Sequence, residues 1–248
     1  MKYRKIVKGI FLSRPNRFIA RVLINKGDGA GPEEERVHVK NTGRCKELLV
    51  EGCTVFLEES DKAERKTKYD LVAVEKKCDK NSLLINMDSQ APNKAASEWI
   101  ESPAFLKALP FIKKLTFVKA EYVSGKSRFD FYLEYESREG KSEKMYLEVK
   151  GVTLEKNGLA MFPDAPTLRG LKHVKELTQI VKEKRGRAAV LFVIQMKGVN
   201  RFSPNRETHE DFANALVQAQ KEGVLLLARD CIITPDSMTI DQDIFMQL

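Results

Sequence analysis

Residues 115–154 read LTFVKAEYVSGKSRFDFYLEYESREGKSEKMYLEVKGVTL. The stretch divides into three alternating strands, 115–123, 128–135 and 144–154, joined by the turn residues Ser124-Gly125-Lys126 and Arg138-Glu139-Gly140. That pattern predicts a three-stranded meander. Period two puts Glu148 and Lys150 on one face of the third strand, and the neighbouring strand can bring Asp130 to the same face. Two carboxylates with an ammonium beside them suit a hard divalent cation, Mg2+ or Mn2+, which takes oxygen ligands and keeps water. Glu121, on the first strand, is a candidate third carboxylate. In a chain whose residues are 31% charged, the same side chains would also be unremarkable on the wet face of a sheet.

After the meander, 168–184 places Leu171, Val174, Leu177 and Val181 on one helical face, and Gly186 ends it before the apolar strand 188–195. Thr208 and Asp211 are expected to start a second helix running to Lys221, followed by a buried strand at 224–228. With a helix at 94–100 before the meander, the order becomes αβββαβαβ. Asp164 lies in the connection to the first long helix, where Arg169, His173 and Glu176 share a face distinct from the leucines and within reach of the carboxylates. A segment containing Arg201, Phe202 and Arg206 reads as a loop with guanidiniums and a ring suited to phosphate and base contact.

Before Ala91-Pro92-Asn93 the pattern is different. Strands are expected at 4–12, 17–24, 36–40, 54–59, 70–76 and 82–86, with a break at Ser13-Arg14-Pro15-Asn16 and a single helix at 45–50. Five or six short strands in about 90 residues point to a small β-barrel. The expected domains are therefore 1–90 and 91–248. His38-Val39-Lys40-Asn41-Thr42-Gly43-Arg44 leads from a strand into the helix, where Asn41, Thr42 and Gly43 can expose backbone N–H groups to an anion and Arg44 adds charge. Arg17 beside Phe18 is a further candidate for nucleic-acid contact.

The net charge is +8, and the chain up to Lys26 holds eight Lys or Arg and no acid, which favours a polyanionic partner. Four cysteines and three histidines are scattered at spacings that fit neither a zinc ribbon nor a CxxC pair. Any metal site should therefore use oxygen ligands. The longest apolar run, 188–194, is too short for a membrane span, and the basic first residues lack a signal-peptide core. A cytoplasmic protein with no membrane partner is expected, and a homodimer is compatible with the sequence.

Taken together and in order, His38-Val-Lys-Asn-Thr-Gly-Arg44, Ser127-Arg-Phe-Asp-Phe131, Glu148-Val-Lys-Gly-Val-Thr-Leu154, Phe162-Pro-Asp-Ala165, Arg169-Gly170, His173 and Arg201-Phe-Ser-Pro204 resemble the sugar fermentation stimulation protein A family nearly end to end. The resemblance implies an N-terminal OB-fold and a C-terminal domain like the PD-(D/E)xK nucleases, with a restriction-endonuclease-like αβββαβ core and mixed sheet. It also implies DNA binding without strong sequence preference. Carried over, the metal carboxylates fall on Asp130 and Glu148 and the catalytic lysine on Lys150, with Asp164, Arg169 and His173 around them. The DNA-contacting set is Arg17, His38, Asn41, Thr42, Gly43, Arg44, Arg201 and Arg206. Two departures stand out: Lys40 replaces the family's usual Pro, and 25–35 looks like an expanded loop. The readings are a DNA-binding protein with a Mg2+-dependent phosphodiesterase centre, a binding-only or regulatory protein linked to sugar metabolism that keeps an inactive nuclease fold, or a sugar-responsive regulator. No residue pattern here defines a sugar site.

Overall fold

The computed structural model describes residues 1–25, 31–41, 43–61, 64–78, 82–125 and 127–248. They form two compact units. The first comprises Met1–Pro92 with Gln195–Gly198 and Cys231–Thr239, and the second Asn93–Ile194, Val199–Asp230 and Ile240–Leu248. The two short returns to the first unit were not foreseen in the 1–90 and 91–248 division.

In the first unit, β1 (Ile6–Asn16), β2 (Ile19–Asn25), β3 (Pro32–Val39), β4 (Thr54–Glu59), β5 (Tyr69–Lys77) and β6 (Ser82–Asn86) form one sheet in the order β3-β2-β1-β4-β5-β6. A parallel pairing of His38 with Asp70 and Val39 with Leu71 joins β3 to β5 and closes a five-stranded OB barrel, which removes the exposed edges of an open sheet. Alternate residues Ala20, Val22 and Ile24 fill its interior. The expected break at 13–16 is strand: β1 runs through it with register shifts after Phe11 and Ser13, so the chain bends by bulging and turns only at Arg17-Phe18. The expected helix at 45–50 is a single turn, and Cys45 takes a left-handed φ of 46°. Of the expanded loop at 25–35, residues 26–30 lie outside the described residues, and the rest extends β3 back to Pro32.

Lys40, where the family pattern has Pro, is held by charge. Its Nζ lies 2.8 Å from Asp88 Oδ2, a carboxylate with 0% side-chain exposure, and Ser89 N donates to its carbonyl at 2.9 Å. Asp88 also accepts from Tyr3 OH (3.2 Å) and Gln90 N (2.9 Å). Asn86 Nδ2 donates to Tyr3 OH at 2.9 Å, and Gln195 Nε2 donates to the carbonyls of Asn86 and Asp88.

The second unit opens with α1 (Ala91–Ile100) and α2 (Pro103–Ala108), the latter unforeseen, followed by the expected meander β7 (Ile112–Ser124), β8 (Ser127–Ser137) and β9 (Ser142–Val152). Then come β10 (Leu154–Lys156), β11 (Leu159–Phe162), α3 (Leu168–Lys182), β12 (Arg187–Ile194), β13 (Arg201–Pro204), α4 (Glu210–Lys221), β14 (Leu225–Thr234), β15 (Ser237–Asp243) and β16 (Phe245–Met246). The main sheet has the order β15-β14-β12-β9-β8-β7 and is mixed. Strand β12 runs parallel to both β9 and β14, whereas the meander pairs are antiparallel. A buried central parallel strand must be apolar on both faces, and 188–194 is fully buried.

A four-stranded sheet, β10-β11-β13-β16, was missed because its strands are two to four residues long, too short to show a period. The segment read as a loop at 201–204 is one of them, and its Phe202 packs on Phe192 with ring centroids 4.4 Å apart. Thr167 Oγ1 caps α3 by accepting from Gly170 N at 3.0 Å, whereas α4 begins at Glu210 without a side-chain cap from Thr208.

Removing one member of a buried ion pair strands the other charge, at a cost of about 3–5 kcal/mol. Lys40→Met keeps the aliphatic stem and deletes the ammonium, so urea denaturation should show a loss of stability of that size. A loss under about 1 kcal/mol would mean that Tyr3 and the Gln90 amide suffice to hold Asp88.

Candidate metal centre and nucleic-acid interface

The centre of the second unit is a glutamate buried in mid-sheet. Glu148 is 3% exposed, and its Oε1 accepts from Lys150 Nζ at 2.5 Å and from His173 Nδ1 of α3. Lys150 reaches it because residues two apart on β9 share a face, and His173 because α3 packs against β12, the strand beside β9. Burial pushes the Glu148 carboxyl up, but the His173 hydrogen bond and the Lys150 charge outweigh it and hold it below the ordinary carboxylate range. Its second oxygen, Oε2, is buried with no hydrogen-bond partner among the described residues.

Asp130 sits on β8, just past the last ladder pair, Phe131 with Leu147. Its Oδ2 accepts from Val149 N at 2.7 Å and its Oδ1 from Asn93 Nδ2 of α1 at 2.8 Å. Burial raises its pKa, and the neighbouring Glu148 charge adds to that shift. One hydrogen bond on each oxygen leaves lone pairs free. Asn93 was legible only as a boundary residue; its contact with Asp130 depends on how α1 packs.

The structure therefore brings Asp130, Glu148, Lys150 and His173 together, and leaves other expected members elsewhere. Glu121 has a left-handed φ of 54°, which breaks the alternation of β7, and its carboxylate pairs with Arg128 at 3.0 Å. Asp164 and Arg169 are exposed, and Glu176 buries an oxygen, Oε2, that has no partner among the described residues. Among the described residues, no group of three or more His, Cys, Asp or Glu side chains forms a metal cage.

In the barrel, the residue that organises the expected anion loop is Arg14, which had been read only as part of a turn. Its guanidinium donates to the carbonyls of Gly43 (2.9 Å), Arg44 (2.7 Å), Arg17 (2.7 Å) and Asn41 (2.7 Å). Asn41 is internal bracing, since its Nδ2 donates to Met87 O and its Oδ1 accepts from Gly43 N at 2.7 Å. That bond occupies the Gly43 N–H, which the nest reading had left open to an anion. Thr42 lies outside the described residues. Arg17 and Arg44 are exposed and, with Arg14, Asn16, Gly43, Lys46 and Leu49, line an open cleft of about 450 Å3; Arg17 also lies over the half-exposed Phe18 ring at 4.8 Å. His38 is tied down, its Nδ1 2.8 Å from Asp70 Oδ1, while Arg65 grips both Asp70 oxygens at 2.6 and 2.8 Å. In the second unit, Arg201 is exposed at the start of β13 and Arg206 donates to Asn214 Oδ1 at 2.8 Å.

Two family models match the chain: "SfsA N-terminal OB domain" over residues 12–85 and "Sugar fermentation stimulation protein RE domain" over residues 90–237. A sugar fermentation stimulation protein homolog of Desulfitobacterium hafniense (strain Y51) is 53% identical over 238 residues, covering 96% of this chain and 94% of the relative. One from Ruminiclostridium cellulolyticum is 47% identical over 248 residues, covering 100% of both. Among solved structures, Pyrococcus furiosus SfsA in complex with Ca2+ superposes with a TM-score of 0.79 at 27% identity, covering 100% of this chain and 98% of that one.

The Arg65–Asp70–His38 cluster predicts an acid limb to stability. Burial opposes ionisation of Asp70, yet the bonds from Arg65 and His38 hold its pKa below the ordinary value. The unfolded state then binds its proton first, so stability rises with pH in this range. The contribution is complete above the usual Asp value near 3.9 and is lost as pH falls through the lowered one. Denaturation at a series of pH values should give a shallower acid limb for Asp70→Asn than for wild type.

Proposed function

The chain belongs to the sugar fermentation stimulation protein family, and on that premise we propose that it binds DNA with little sequence preference and hydrolyses phosphodiesters at Asp130, Glu148 and Lys150 with a divalent cation. The observation that carries the proposal is the unpartnered, buried Oε2 of Glu148 beside Asp130 and Lys150. A buried carboxylate oxygen without a donor is costly unless a cation takes it. Oxygen donors fit Mg2+ or Mn2+, with Asp130 and Glu148 as the protein ligands and a main-chain carbonyl and water completing the set. The relative solved with Ca2+ supports divalent binding in this family. When bound, such an ion polarises the phosphate and acidifies water.

The protein's own groups do the remaining work. His173 and Lys150 anchor Glu148 through Oε1, leaving Oε2 as the oxygen open to a cation, and Asn93 with the Val149 amide fixes Asp130. In hydrolysis, a water oxygen adds to phosphorus as it loses a proton, and the ester P–O bond breaks with protonation of the leaving oxygen. Lys150 is the cation positioned to stabilise the attacking oxygen or the charge developing on phosphate. In the barrel, Arg17, Arg44 and Lys46 offer the phosphate backbone charges that carry no base preference.

Two observations favour a second reading, that the protein binds DNA without cutting it: Lys150 is already paired with Glu148, and among the described residues no third carboxylate joins the centre. Incubation with single- and double-stranded DNA, with and without Mg2+ or Mn2+, separates the two. The nuclease reading expects metal-dependent cleavage that Lys150→Ala lowers about a hundredfold or more, with DNA affinity nearly unchanged. Calorimetric titration should show weakened metal binding in Asp130→Asn. Wild type that binds DNA but cuts none of these substrates leaves the binding-only reading.

The phosphate contacts make a separate prediction. DNA affinity should fall steeply with salt, and Arg17→Ala and Arg44→Ala should each weaken binding and flatten that slope by roughly one. Salt-independent binding would remove the barrel from the interface.

A further inference from the structure

Strand β7 ends the main sheet, and most of its residues are exposed. It carries Lys113, Lys114 and Lys119 against one acid, Glu121, which Arg128 neutralises. The ladder sets Lys119 opposite Tyr132 and Tyr132 opposite Tyr146. These three therefore lie across one face of the sheet, and Glu148 and Lys150 follow Tyr146 at period two on that face.

Two irregularities in β7 gather further rings there. The register shifts between Leu115 and Phe117, and Phe117 meets Tyr132 edge-on at 6.4 Å. Strict alternation from Lys119 would put Glu121 on this face and Tyr122 on the other. The left-handed Glu121 reverses that, and Tyr122 stacks on Tyr132 at 4.2 Å and 15°. A left-handed residue other than Gly, Asn or Asp is uncommon and tends to mark a place where backbone regularity has yielded to another demand.

The result is a continuous run of rings. Tyr122 and Tyr132 both contact Tyr146 (6.1 and 5.2 Å), Tyr146 meets Phe129 at 5.5 Å, and Phe129 meets His173 at 6.3 Å. His173 in turn hydrogen-bonds Glu148. Tyr132, Tyr146 and Phe129 are buried and form a rigid backing, whereas Phe117 is 47% exposed and Tyr122 is partly exposed. Lys119 Nζ lies 5.8 Å from the Tyr122 ring centre and has no carboxylate partner among the described residues.

We infer that Phe117, Lys119 and Tyr122 form a stacking platform for the unpaired bases of a DNA strand that leads to the Asp130–Glu148–Lys150 centre. Exposed rings with an adjoining free ammonium match the chemistry of a single strand, whose bases offer flat faces and whose phosphates need cations. A fully paired duplex hides those faces. The proposal rests on the nuclease-like reading for its geometry and deepens it by naming the strand state of the substrate.

Fluorescence anisotropy with a labelled oligothymidine and a blunt duplex of equal length tests it. Phe117→Leu keeps apolar bulk and removes the aromatic face. It should weaken oligothymidine binding about tenfold, the scale of one lost base stack, and leave duplex binding unchanged. Phe117→Trp should restore the affinity, and Lys119→Ala should lower the salt slope by about one. Wild type that binds both DNAs with Phe117→Leu unchanged overturns the platform and leaves the DNA-binding function standing. Wild type that binds neither removes both. Equal losses on duplex and single strand, or a dimer that Phe117→Leu dissolves while DNA binding persists, would also overturn it.

Discussion

A carboxylate in the middle of a sheet at 3% exposure is the constraint around which the second unit is arranged. Left alone, it would take up a proton or disrupt the sheet. It stays ionised because Lys150 from its own strand and His173 from α3 converge on one oxygen. That requirement links several local features. The α3 start is capped by Thr167, the helix packs against the apolar β12, and β12 runs parallel to β9, so His173 reaches Glu148 on the neighbouring strand. Asp130 follows from the same geometry, its position set by the Val149 amide directly after Glu148 in sequence.

The barrel solves a different problem in a similar way. One guanidinium, that of Arg14, satisfies four backbone carbonyls at this end of the barrel, those of Asn41, Gly43 and Arg44 and that of Arg17 in the β1–β2 turn. Beneath it, the Lys40–Asp88 pair provides the rigidity that proline would supply through its fixed φ. Because the loop is held from inside, Arg17 and Arg44 can keep their guanidiniums at the surface. In both units, buried charge orders a segment of backbone.

The meander was legible because three strands alternate over many residues and are separated by strong turn residues. The carboxylates on β8 and β9 followed from period two. Where period two fails, the row changes: Glu121, the candidate third carboxylate, has a left-handed backbone angle and pairs with Arg128, and Tyr122 stacks on Tyr132. Strands of two to four residues, such as β10, β11, β13 and β16, carry too few residues to show a period. Two of them, β11 and β13, are tied to the core by Phe162 and Phe202, which both pack on Phe192.

The sequence by itself determined the two kinds of architecture, the strands that bear Asp130, Glu148 and Lys150, and the excess of positive charge, because each depends on local periodicity, turn chemistry or composition. Only the tertiary structure decided which partners those side chains meet. His173 on Glu148, Asn93 on Asp130, Arg14 on the 41–44 turn and Lys40 on Asp88 are pairings across 25 to 48 residues of chain. Hydrogen bonds and ion pairs are short-ranged and directional, so they depend on how the elements pack and leave no periodic trace along the chain.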